Sequence, residues 1–316
     1  MFEKVLTIDP GASSLKLYEP AADEVVSERT VMASRDGKQY VGEEAFELFW
    51  EKGSGVLKHP VDQGMLAGDL TPLFMKLVSQ AQLDRHLFKP SLRVLLTREA
   101  KEEQMEKWIR MGEKAGFRRV LFSDPVNELK KETGLVIHAG FSYTRLAAFR
   151  SGHLLDEKKI IFAGRQIDEA IMEYVANTYR SLMFYEDAAA LKKAASDAFW
   201  NQKNPVLSCV VLDQRSQYVR LSIRASELWP AISGVLKQIV MWARELVSQL
   251  GLENMEEVLK YPVYLTGGLA NCYGLRQMLE EQLNTNVIVL EEPENWLVKN
   301  AHLKNMSGGN YGRMGG

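Results

Sequence analysis

Three segments of this chain run an apolar strand into a turn of glycine and hydroxyl residues, a pattern suited to gripping phosphate. They are Val5-Leu6-Thr7-Ile8-Asp9-Pro10-Gly11-Ala12-Ser13-Ser14, Leu135-Val136-Ile137-His138-Ala139-Gly140-Phe141-Ser142-Tyr143-Thr144 and Val263-Tyr264-Leu265-Thr266-Gly267-Gly268-Leu269-Ala270. Such turns gather backbone N–H groups that donate to phosphate oxygens. A carboxylate at the strand end can then hold the magnesium that accompanies the phosphates. Asp9 meets that need in the first segment, while His138 stands where the second should repeat it. A neutral imidazole does not serve a hard cation as a carboxylate does. The pattern predicts a nucleotide held and poorly hydrolysed.

Turns of this kind need a sheet to carry them and helices to cover it. Strand signals recur at 5–8, 92–96, 120–122, 135–137, 160–162, 209–212, 218–223, 263–265 and 287–290. Between them lie helical patterns. Ile167, Ala170, Ile171, Tyr174, Val175 and Thr178 share one face after Gly164. Ile232, Val235, Leu236, Ile239, Val240, Ala243, Leu246, Val247 and Leu250 form a longer stripe stopped by Gly251. A charged helix is expected over 99–115, stopped by Gly116. Strands alternating with helices predict an α/β fold. Hairpin strands at 15–18 and 145–149 directly follow the first two turns, which suggests two related lobes. The expected division is a first lobe over 1–134, with a small insertion near 31–64, and a second over 135–305, with a small subdomain near 180–230. The Gly-, Met- and Asn-rich tail at 306–316 reads as disordered.

The 316 residues are 46% hydrophobic and 25% charged, which places the chain among soluble globular proteins with a sizeable core. A formal charge of -2 without basic stripes argues against nucleic acid as a partner. Cys209 and Cys272 are the only cysteines, and the five histidines are scattered, so neither a disulfide framework nor a zinc site is expected. Met1 leads straight into a strand with no signal-peptide pattern, and no apolar run reaches the length of a membrane span. A cytoplasmic location is the expectation.

The same residues resemble the bacterial actin family, and most closely its MreB cell-shape branch. Ile8-Asp9-Pro10-Gly11-Ala12-Ser13-Ser14 is similar to the family's Ile-Asp-Leu-Gly-Thr-Ala-Asn. Val41-Gly42-Glu43-Glu44-Ala45, Pro60-Val61-Asp62-Gln63-Gly64 and Leu87-Phe88-Lys89-Pro90 match further landmarks in order. Ala163-Gly164-Arg165-Gln166-Ile167-Asp168-Glu169-Ala170-Ile171 resembles Ala-Gly-Asp-Glu-Met-Asp-Glu-Ala-Ile. Leu265-Thr266-Gly267-Gly268 matches the adenosine-side turn, followed by Glu291-Glu292-Pro293. Each landmark alone is weak; their order along one chain is specific. The resemblance implies a two-lobed actin-like fold with a central nucleotide cleft. It also implies ATP or ADP with magnesium as ligand, the metal being reached by Asp9 through water. Gly11, Ala12, Ser13 and Ser14 would meet the phosphates, with Gly140, Phe141 and Ser142. Gly164, Lys192, Gly267, Gly268, Leu269 and Ala270 would line the remainder.

The departures bear on chemistry. Where the family's second loop reads Asp-Ile-Gly-Gly-Gly-Thr-Thr-Glu, this chain places His138, Phe141, Tyr143 and Arg145 among the corresponding residues. Asp124 stands where the resemblance implies a water-orienting Glu, and one methylene less displaces its oxygens by about an ångström. Gln166 removes another carboxylate, and the helix after Pro125 is expected to be truncated.

Leu87 and Phe88, flanked by Arg85, His86 and Lys89, fit a membrane-dipping loop of the kind the resemblance implies. A loop anchored on the core fits the same residues. The leading expectation is a divergent MreB-like protein forming membrane-associated filaments at the inner face of the cytoplasmic membrane. It would work alone or with an MreB-type paralogue, alongside envelope-synthesis proteins. The alternative is a non-polymerising actin-fold pseudo-ATPase adaptor of a division or pilus-type machine, whose first loop Asp9–Lys16 fits about as well. A small-molecule kinase on the same fold would need a catalytic carboxylate, for which only Asp69 and Asp124 offer themselves.

Overall fold

A computed structural model describes residues 4–52, 57–82, 89–129 and 131–303, with only the backbone described at 49–52 and 302–303. The chain divides into two compact units, one formed by Met1–Leu129 and Asn295–Gly316, the other by Lys130–Glu294.

In the first unit β1 (Val5–Pro10), β2 (Ser14–Glu19) and β3 (Glu24–Arg29) make an antiparallel meander. A small insertion follows: the hairpin of β4 (Met32–Arg35) and β5 (Lys38–Val41), α1 (Glu43–Lys52), and the hairpin of β6 (Val61–Asp62) and β7 (Met65–Leu66). It has its own apolar cluster of Val31, Ala33 and Ala45. Next come α2 (Thr71–Gln80), β8 (Ser91–Leu95), α3 (Glu102–Lys114), β9 (Val120–Ser123) and the five-residue α4 (Pro125–Leu129). The sheet order is β3-β2-β1-β8-β9, with β8 parallel to both β1 and β9. All five residues of β8 are buried, as a central strand covered on both faces requires.

The second unit repeats that order. Its strands β10 (Gly134–Ala139), β11 (Thr144–Arg150) and β12 (His153–Ile160) form the meander. Then follow α5 (Gly164–Tyr179), β13 (Leu182–Met183), α6 (Tyr185–Trp200), β14 (Val206–Leu212) and β15 (Tyr218–Arg224). The chain continues through α7 (Ala225–Gln249), α8 (Leu252–Leu259), β16 (Val263–Thr266), α9 (Leu275–Leu283) and β17 (Val287–Val289). The sheet order β12-β11-β10-β16-β17 matches the first unit strand for strand. Strands β13, β14 and β15 form a separate small sheet within 182–224.

The last helix, α10 (Trp296–Leu303), returns to the first unit. The Ala301 carbonyl accepts from Arg93 Nη1 on β8 at 2.6 Å, and Lys299 lies 3.6 Å from Asp23. The expected boundary after 134 therefore falls five residues late, and the expected assignment of 295–303 to the second lobe is corrected. Arg93 is almost wholly buried, and the Ala301 carbonyl gives its Nη1 an acceptor inside the first unit. The expected strand at 160–162 is also displaced: β12 ends at Ile160, and Ile161 is exposed. Strand β3, whose only apolar residues are Val25 and Val26 among charged neighbours, is not among the expected strands.

The apolar stripe of α7 is buried from Ile232 to Val247 as its spacing predicts. On α5, Ile167, Ile171 and Val175 are buried while Thr178 is exposed.

Candidate functional site

In the first unit Asp9 sits one register step before the turn, directly opposite Lys16 on β2. Burial pushes the Asp9 carboxyl above its ordinary value, with Lys16 pulling the other way. The Thr30 hydroxyl donates to the Gly11 carbonyl at 2.7 Å, and the Thr30 N–H donates to the Ser13 carbonyl at 3.0 Å. A trans peptide aims its C=O and N–H oppositely. The N–H groups of Ala12 and Ser14 therefore point away from Thr30, as a phosphate-facing edge needs. The Gly11 N–H is bonded to the Asp9 carbonyl, so Gly11 serves by compactness: a Cβ there would stand 2.6 Å from the Ser14 carbonyl oxygen.

The second hairpin has the same register, with His138 opposite Arg145 where the first has Asp9 opposite Lys16. Its turn is closed against α5. The Gly140 carbonyl accepts the Gly164 N–H at 3.1 Å, and the Phe141 carbonyl accepts the Arg165 N–H at 2.8 Å. Two of the donors that a helix N-terminus would offer an anion are thereby spent. The Gly140 N–H donates to the Tyr143 carbonyl, so the donation to phosphate expected of Gly140 gives way to a bond inside the turn. By the same trans-peptide geometry the N–H groups of Phe141 and Ser142 point away from α5. The Phe141 ring lies 6.0 Å from the Tyr185 ring, edge-on, with the Arg165 guanidinium 5.4 Å from its centre. Arg145 is turned inward and pairs with Glu157 at 3.4 Å.

Gly164 occupies a crowded corner, where a Cβ would meet Lys192 Nζ at 3.4 Å and the Gly140 carbonyl at 3.5 Å. Lys192 donates to the Gly164 carbonyl at 3.1 Å and pairs with fully buried Asp168 at 2.7 Å. Burial pushes the Asp168 carboxyl up and Lys192 opposes it. Asp168 in turn pushes the buried Tyr185 hydroxyl further above its ordinary value. The lysine expected beside adenosine is thus bonded within the protein. Sequence reasoning quoted Asp168 without seeing this role. Its signal was a carboxylate between Ile167 and Ile171 on a buried helix face, which demands a cation.

The third turn docks onto the second strand. The Leu269 N–H donates to the Ala139 carbonyl at 3.0 Å, the Gly267 N–H to the Pro293 carbonyl at 2.8 Å, and the Ala270 N–H to the Gly267 carbonyl at 3.0 Å. Leu269 and Ala270 are buried and serve the turn itself. Gly267 has φ +92°, and a Cβ there would stand 2.3 Å from the Ala139 carbonyl oxygen, so glycine is required. Gly268 is exposed, with no atom within 4 Å of the place a Cβ would take.

Asp124 caps α4. Its Oδ1 accepts the Val126 N–H at 3.0 Å, and its Oδ2 accepts Arg98 Nε at 2.7 Å. Both oxygens of the expected water-orienting group have protein partners. Leu87 and Phe88 lie outside the described residues, as do 306–316.

Asp9 is the carboxylate at the first strand end that could reach a nucleotide-bound magnesium through water. Among the described residues no three His, Cys, Asp or Glu side chains gather as a cation site. The second hairpin offers His138 and Arg145 where a hard cation needs oxygen donors.

Two five-stranded sheets with one strand order, each carrying a phosphate-type turn after its first strand, define an actin-like fold. The family model described as MreB/Mbl protein matches residues 3–306, and the chain belongs to the MreB/Mbl family. Cell shape-determining protein Mbl of Bacillus subtilis is 23% identical over 309 residues, covering 93% of each chain. Cell shape-determining protein MreB of Escherichia coli K12 is 22% identical, covering 93% of this chain and 90% of the other. Among solved structures, MreB5 of Spiroplasma citri bound to ADP superposes with a TM-score of 0.84 at 16% identity, over 97% of this chain and 99% of that one. The MamK double helical filament gives 0.75 at 17% identity, over 97% and 100%.

Proposed function

We propose that this chain is an MreB-like cytoskeletal protein that assembles with itself, or with an MreB-type paralogue, into filaments. The filaments bind an adenine nucleotide, hydrolyse it slowly, and run along the inner face of the cytoplasmic membrane in support of envelope synthesis. The duplicated sheet with its three glycine turns carries this reading. It is supported by family membership over residues 3–306 and by the neighbours solved with ADP or AMPPNP and as a filament. Slow hydrolysis follows from Asp124, whose oxygens are bonded to Arg98 and Val126, and from His138 at the second strand end. A group that must orient water in the transition state cannot also stay fixed in a ground-state ion pair without raising the barrier. Among the described residues no helix is long and apolar enough to cross a membrane. Peripheral attachment would fall to Leu87 and Phe88, with basic neighbours adding about 1 kcal/mol each at an anionic surface.

Sedimentation and electron microscopy of the purified chain with ATP, with ADP and without nucleotide test the assembly. Filaments in any of these states support it. A monodisperse monomer in all of them, with and without an MreB-type paralogue, supports the non-polymerising adaptor instead.

A further inference from the structure

Strand β15 ends the small sheet of the second unit, whose order β13-β14-β15 leaves one of its edges without a neighbouring strand. The Asp213 N–H donates to the Gln217 carbonyl at 3.0 Å, and the Ala225 N–H to the Pro205 carbonyl at 3.0 Å. Bonded pairs alternate along an antiparallel ladder. With Leu207 opposite Ile223 and Val211 opposite Val219, the backbone groups of Val219, Leu221 and Ile223 therefore aim at β14. Those of Tyr218, Arg220 and Ser222 aim at the open edge, and among the described residues none of them has a partner there. The Arg224 N–H, next on that edge, is spent on Glu227 at 2.8 Å. An unpaired edge of this kind is a template for one more strand.

The side chains around the edge say what that strand carries. On the outer face Arg220 stands opposite Val210 and Arg224 opposite Val206, with Tyr218 opposite Leu212. Arg220 is exposed and forms no ion pair among the described residues, while Tyr218 is 62% and Val206 55% exposed. Glu227 is engaged by the Tyr174 and Tyr179 hydroxyls as well as by Arg224. On the other face the edge offers Val219 and half-buried Leu221. An added strand that suits both faces sets carboxylates beside the arginines and apolar residues beside Val219 and Leu221, in alternation. The chain's own 304–316 segment has no carboxylate side chain, so it lacks that pattern. A second copy of β15 fits poorly too. Antiparallel pairing about Leu221 sets the two Arg220 side chains diagonal to each other, and a shift by one bonded pair sets arginine directly opposite arginine.

We propose that the open edge of β15 binds an extended acidic segment of another protein, adding it to the small sheet as a further strand. This goes beyond assembly and nucleotide binding and depends on neither. Fluorescence anisotropy tests it on the full chain, kept below the concentration at which it sediments, with a labelled peptide of alternating glutamate and valine matched in length to β15. The peptide should bind with a Kd below about 1 mM, and its lysine-for-glutamate counterpart at least about tenfold more weakly. Arg220→Glu should weaken the acidic peptide at least about tenfold and remove that preference. Ser222→Pro deletes an edge N–H without touching the bonds to β14, and should abolish binding. If melting scans show that variant unfolded, the unaltered protein serves: one of two peptides N-methylated on alternate amides should lose binding. No binding of the acidic peptide at about 1 mM overturns the proposal, as does equal binding of the two charge types. Undiminished binding by a folded Ser222→Pro variant, or by both methylated peptides, also overturns it. A wild-type dimer that Ser222→Pro dissolves would overturn it in favour of a second copy at this edge.

Discussion

Lys192 and Asp168 show how a residue expected at a ligand can be held by the protein instead. Asp168 is wholly buried, and Lys192 supplies its cation at 2.7 Å. Removing one partner of such a pair leaves an uncompensated charge, whereas replacing both with apolar groups costs far less. Lys192→Met should lower unfolding stability by about 3–5 kcal/mol. The double variant Lys192→Met/Asp168→Leu should regain most of that loss in urea titrations. A double variant as unstable as the single would show that packing, not the uncompensated carboxylate, sets the cost.

Elements are joined by a few groups that periodicity does not reveal. Glu28 on β3 is buried, where desolvation would raise its pKa. The Glu43 N–H, Gln80 and Lys76 outweigh that and hold it below its ordinary value of 4.5. A depressed carboxylate stabilises the fold above its unfolded pKa, and that contribution is lost as pH falls through the folded value. Glu28→Gln should therefore lower the melting temperature at neutral pH, and the gap from wild type should narrow on acidification below 4.5. A gap that stays constant with pH would refute the ionised role. The glycine pair of the third turn gives a second contrast. Gly267→Ala drives a Cβ to 2.3 Å from the Ala139 carbonyl oxygen and should cost at least about 1–3 kcal/mol or prevent folding. Gly268→Ala meets open space and should change stability by no more than about 0.5 kcal/mol. Equal stabilities of the two variants, by denaturant titration, would contradict this geometry.

At the scale of the molecule, the duplicated strand order places like turns at like positions, and the two hairpins have diverged chemically. The first keeps Asp9; the second carries His138 and Arg145. Hydrolysis needs an oriented water and donors aimed at developing charge. Each missing part costs about tenfold per 1.36 kcal/mol of barrier. Steady-state ATP turnover should fall far below that of a family member with the intact second loop, assayed side by side. His138→Asp alone should not restore it, because Asp124 stays bonded to Arg98. Turnover equal to that relative's would show that these departures do not govern the chemistry.

The order of the glycine turns, the apolar stripes of α5 and α7, the shortened α4 and the family resemblance were all legible in the sequence. Each is written within a few neighbouring residues, where strand or helix period fixes which face is buried. The partners of the polar groups were not legible. Asp168 meets a lysine 24 residues on, Asp124 an arginine 26 residues back, and Arg93 a carbonyl 208 residues away. The return of α10 to the first unit, the closing of the second turn on α5 and the docking of the Leu269 N–H on the Ala139 carbonyl belong to the same class. A buried polar group demands a partner, but its own sequence window does not say which distant atom will supply it. That choice follows from where the sheets bring their edges and turns, and the tertiary structure alone made it.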